Sequence, residues 1–124
     1  MPTDEELADR RLWAQDISTR MRQRCMGCEE FSHTLEVHEI ERRSHAAERW
    51  AQRCNYLLIC RRCHVGKFAT MPHARQLAYK FLFDREHFDL RAWLAIRDRE
   101  LRAPLRVFDD EVLYHVQELE ELLK

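Results

Sequence analysis

The chain has 124 residues, 45% of them apolar and 35% charged, with only two glycines and three prolines. That size and composition suit one domain with a modest core, argue against a loop-rich or all-β chain, and favour helix through the wealth of Arg, Glu, Leu and Ala. A net charge of −1 carries no nucleic-acid signature, and neither a membrane-length apolar run nor a signal-peptide core is present, so a soluble cytoplasmic protein is expected.

Thr3-Asp4-Glu5-Glu6 is a capping box, and Trp13, Ile17 and Met21 follow at helical spacing, which predicts an amphipathic helix over 4–23. Residues 35–40, LEVHEI, alternate apolar with polar, and 55–59, NYLLI, form a short apolar run. These predict two strands paired as a hairpin. Their connection is long for a hairpin, and long loops tend to carry function; AAERWAQ within it is expected to form a helical turn with Trp50 inward. Beyond His64 the pattern is helical. Pro72 stands near the start of ARQLAYKFLF, Asp84 to His87 form a break, and Leu90, Trp93, Leu94 and Ile96 mark a further apolar face that ends at Pro104. Asp109 or Asp110 is expected to cap a last helix whose stripe is Val112, Val116, Leu119 and Leu123. That stripe reads as core, or as a contact for a protein partner or a second copy.

Cys25 and Cys28, then Cys60 and Cys63, give two C-x2-C pairs. Two intervening residues turn both sulfurs to one side, and four thiolates in tetrahedral array favour zinc and leave no open position. Such zinc is structural, and it helps a small hairpin whose core is too thin to be stable alone. Cys54 has no partner at this spacing and reads as a small buried side chain.

CMGC, LEVHEI and NYLLICRRCH together resemble the HNH endonuclease family, in particular its small phage and bacterial members with two C-x2-C pairs. The resemblance covers about residues 25–67 of a single domain spanning 1–124, with helical flanks at 1–24 and 68–124. It implies a mainly α fold built on a small β-hairpin, a ββα-metal core stapled by zinc. In that family the positions of His38 and His64 bind a catalytic divalent ion such as Mg2+, Mn2+ or Ni2+, and the position of Asn55 orders the loop or assists the metal. The implied activity is metal-dependent hydrolysis of DNA phosphodiester bonds, in the cytoplasm of a bacterial or phage-infected cell. A neutral imidazole and open water positions leave such a cation able to stabilise charge on the phosphate and the leaving oxygen.

One position departs from the family: Glu39 stands where the general-base histidine is usual. A carboxylate with a pKa of about 4.3 is ionised at neutral pH but is a weaker base than imidazole. Glu39 is then the base, or a ligand while His33 or His45 serves as base, or a mark of lost catalysis. A shifted register, with Glu36 and His38 on one strand face, is a further arrangement. Residues 10–70 hold 12 Lys/Arg against 7 Asp/Glu, a formal +5, while 71–124 hold 9 against 11. Arg42, Arg43, Arg49, Arg53, Arg61, Arg62 and Lys67 are the expected phosphate contacts, although helical arginines also make plain solvated faces. Three functions are consistent with these residues: an HNH-type DNA endonuclease, a non-catalytic zinc module binding DNA or protein, and an RNA-binding zinc ribbon. The last leaves His38, Asn55 and His64 without a role.

Overall fold

The computed structural model describes residues 3–41, 52–97 and 105–123. Among them are helix α1 (Asp4–Arg20), strands β1 (Leu35–Glu39) and β2 (Tyr56–Cys60), and helices α2 (His73–Phe83), α3 (Leu90–Arg97) and α4 (Leu105–Leu122). The architecture is mainly helical around a two-stranded antiparallel sheet. No helix among the described residues is long and apolar enough to cross a membrane.

The capping box starts α1 as its residues dictate: the Thr3 hydroxyl accepts from Glu6 N–H, and the Glu6 carboxylate accepts from Thr3 N–H. The helix stops at Arg20 rather than 23, because Arg22 and Gln23 take left-handed backbone, φ 56° and 59°. That turn feeds the chain to Cys25. Leu35 pairs with Cys60 and Glu39 with Tyr56, and the N–H of Ile40 adds a bond to Asn55 O at 2.8 Å. β2 starts one residue later than its apolar run because Asn55 closes a short 3-10 turn, Arg53–Asn55. Tyr56, Leu57, Leu58 and Ile59 are all buried, with α1 and α2 both packed on the strand, so β2 reads as a continuous apolar run while β1 alternates.

After β2 the chain makes a wide π-type turn, Cys63–Lys67, before Pro72 precedes α2. The helical pattern is thus interrupted rather than continuous. α4 begins at Leu105, so Asp109 and Asp110 lie inside it and do not cap it. Phe108 extends the apolar stripe one turn backwards and stacks on Trp93, centroids 5.6 Å apart and planes at 10°. Val112, Val116 and Leu119 are buried, whereas Leu123 is 44% exposed and falls outside the stripe. AAERWAQ and Trp50 lie outside the described residues.

A polar knot joins α1, α2 and β2. Lys80 and Asp84, both fully buried, pair at 2.6 Å, and Lys80 also donates to Tyr56 O at 2.7 Å. Asp84 accepts further bonds from Trp13 Nε1, Arg20 Nη2 and His87 Nδ1, so the buried carboxylate is fully met. Burial opposes its charge, but Lys80 and the donors around it win and bring its pKa to about 2. Burial pulls Lys80 the other way, to about 8, against the attraction of Asp84.

Candidate metal centres

The four sulfurs of Cys25, Cys28, Cys60 and Cys63 lie within 4.8 Å of one another. Cys28 Sγ and Cys60 Sγ are 4.0 Å apart, close to the edge of about 3.8 Å that zinc–sulfur bonds give a regular tetrahedron. The first pair sits in a knuckle tied off by Cys25 N–H to Glu30 O, 2.9 Å, and Glu29 N–H to Cys25 O, 2.8 Å, with Glu29 at φ 60°. The N–H groups of Gly27 and Cys60 each point at Cys25 Sγ from 3.2 Å, which suits a thiolate. Gly27 is glycine for want of room: a Cβ there would lie 2.4 Å from the Phe68 ring. Burial pushes the Cys25 and Cys63 thiols up, so four adjacent thiolates need a cation among them. The group can hold a metal ion such as zinc.

Two histidines also come together. His38, buried on β1, and His64, on the turn after Cys63, bring their ring centroids to 5.0 Å with planes at 83°. A cleft of about 620 Å³ is lined by both rings together with Arg10, Val37, Glu39, Val65 and Ala69. The strand alternation puts Glu36 on the face of His38, and its Oε1 accepts from His64 Nδ1 at 3.0 Å. Glu36 thus shares the strand face of His38 and bonds His64, while Glu39, which lines the cleft with both histidines, meets Arg10 at 3.8 Å with its side chain 15% exposed. The His64 bond, then Arg61, hold the Glu36 carboxyl below its ordinary value against slight burial. Among the described residues only the cysteines gather three or more metal-ligating side chains, so the histidines form a pair rather than a closed cage.

Asn55 is buried and acts on the backbone. Its Oδ1 accepts from Glu41 N–H at 2.8 Å and from Trp93 Nε1 at 2.9 Å, and its Nδ2 donates to Glu41 O at 3.1 Å. It clamps the chain just past β1 and does not line the cleft. Arg61 and Arg62 are about three-quarters exposed and reach Glu36 and Glu30. Lys67, also exposed, donates to Gly27 O at 2.6 Å and lies over the Tyr79 ring, so it braces the knuckle. Arg53 pairs with Asp9. His33 stacks edge-on with Phe31, away from the cleft lining. Arg42, Arg43, His45 and Arg49 lie outside the described residues.

Sequence reasoning passed over Arg10 and Gln76. Gln76 is a buried polar residue among Ala74, Leu77 and Ala78 on α2; a lone amide within an apolar helix face was the available signal. No family model, curated protein or solved structure matches the chain.

Proposed function

We propose that the chain is a metal-dependent DNA endonuclease of HNH type, with a structural zinc on Cys25, Cys28, Cys60 and Cys63 and a second divalent cation at His38 and His64. The observation that carries the reading is the 5.0 Å approach of these two rings in a cleft shared with Glu39 and Arg10. Two imidazoles fit a cation such as Mg2+, Mn2+ or Ni2+ that keeps open positions, and a cation held there supplies charge stabilisation to a phosphodiester under attack. The chain's own groups do the rest. His38 and His64 offer ring nitrogens, and Glu39 is the proton acceptor for the attacking water. Arg10 holds that carboxylate at the cleft wall. Asn55 fixes the chain beyond β1, and Arg61 and Arg62 exchange exposed carboxylate partners, worth little in water, for phosphates.

Plasmid nicking in Mg2+, Mn2+, Ni2+ and Zn2+ tests the reading. His38→Ala and His64→Ala are expected to abolish nicking while leaving about one zinc per chain and an unchanged fold, since neither touches the sulfur cluster. Nicking at wild-type rate in both variants overturns it. The alternative, a non-catalytic zinc module that binds DNA or protein, is favoured by one observation, the ion pair that Glu39 makes with Arg10 where a free base is wanted. Glu39→His decides between them: it raises or creates nicking in an endonuclease, and leaves DNA binding without nicking in a binding module.

A further inference from the structure

We propose that Gln76 is a positioning residue that fixes His38 as its Nε2–H tautomer and so places the lone pair of the neutral ring on Nδ1. The inference rests on the reading of His38 as a cation ligand, but its physical content is a proton position that can be observed without cation or DNA.

The argument is one of donors and acceptors. Gln76 is 4% exposed, and its Nε2 donates to the carbonyl oxygen of Met71 at 2.8 Å. A carbonyl oxygen only accepts, so the amide cannot be turned over without setting two oxygens against each other. The other end of the amide is therefore Oε1, and it stands 2.7 Å from His38 Nε2. An amide oxygen only accepts as well, so His38 Nε2 must carry the hydrogen. In the neutral ring the lone pair then falls on Nδ1.

Glu36 applies the same logic to the second ring with the opposite result. Its Oε1 accepts from His64 Nδ1 at 3.0 Å, which leaves the His64 lone pair on Nε2. Two imidazoles 5.0 Å apart and nearly perpendicular thus carry their lone pairs on different nitrogens. Partners of this kind around a ligating histidine hold its tautomer and ring orientation, and their loss typically weakens metal affinity about 10- to 100-fold. The partner here comes from α2, 38 residues beyond His38.

The test uses the full chain loaded with zinc and labelled with 15N-histidine. Long-range proton–nitrogen spectra are expected to show His38 as the Nε2–H tautomer, with that proton shielded from exchange with water. In Gln76→Met, which keeps the volume and removes the acceptor, the protected proton signal is expected to disappear and Mn2+ or Ni2+ affinity, by calorimetry, to fall about 10- to 100-fold. His38 as the Nδ1–H tautomer in the wild type overturns the proposal. So does a Gln76→Met protein that keeps both the protected proton and the cation affinity. Should Gln76→Met fail to fold, the wild-type tautomer decides alone. A correct tautomer in a chain that neither binds the cation nor nicks DNA sinks the endonuclease reading and leaves the role of Gln76 standing; nicking with the wrong tautomer does the reverse.

Discussion

The two ends of β2 are fastened by opposite chemistry. At Cys60 the strand runs into a sulfur cluster that needs a cation to be favourable, and at Tyr56 its carbonyl is held by Lys80, whose charge is already met by Asp84. With zinc on the cysteines, one fastening is taken from solution and the other is covalently part of the chain. A short hairpin of this kind is marginal by itself, so the difference predicts which conditions open which end.

The largest effect should come from the borrowed end. Zinc binding in small thiolate modules is worth about 10–16 kcal/mol, as much as or more than the whole stability of an ordinary domain at about 5–15 kcal/mol. Cys25→Ser, or a strong chelator, is expected to unfold or aggregate the protein, read by loss of cooperative melting. A chelated chain that still melts cooperatively at an unchanged temperature would erase the contrast between the ends.

The second effect belongs to the built-in end. Lys80→Met leaves Asp84 buried with its closest counter-charge gone, and breaking a buried pair in this way costs about 3–5 kcal/mol; urea unfolding measures it. Acid sharpens the comparison. The folded pKa of Asp84 is depressed from 3.8 to about 2, so its share of stability is present above the unfolded value and drains as pH falls through the folded one. Thiolates surrender their ion on protonation at milder acidity. Zinc release, followed with a coloured chelator, is therefore expected to take with it the buried environment of Trp13, whose indole N–H bonds Asp84 at 2.9 Å, at a pH above the one at which Asp84 itself is protonated. A Trp13 environment that survives zinc release would mean that the knot has stability of its own.

The smallest effect is a matter of space. Gly27→Ala drives a methyl into the Phe68 ring and within 3.2 Å of Cys63 Sγ. Overpacking of this sort costs about 1–3 kcal/mol. Thermal melts should show that loss with zinc content unchanged, since no ligand is altered.

What could be read from the residues was whatever repeats or pairs over short distances. The cysteine spacing, the Thr3 capping box and the alternation of LEVHEI act within a turn or a strand, and the structure carries all three. Where the last helix begins was missed because the Asp109–Asp110 pair looked like a cap, while Phe108 continued the apolar face behind it. Gln76 on His38 and Trp13 on Asp84 join positions 38 and 71 residues apart. No local period encodes such pairs, and a polar letter in the sequence does not say which distant group it will meet. Glu36 lay between these cases: alternation placed it beside His38, but the reach to His64 depended on the π-type turn over Cys63–Lys67.

The ring stack of Phe108 on Trp93 also acts as a mechanical lever. The far edge of the Trp93 indole grips Asn55, and Asn55 grips both backbone groups of Glu41, three residues past His38. Pushing α4 sideways must therefore either drag the indole or pull the two rings apart. A helix outside the lining of the histidine cleft is thus coupled, through Trp93 and Asn55, to the chain just past His38, and a load applied at α4 is delivered to the end of β1.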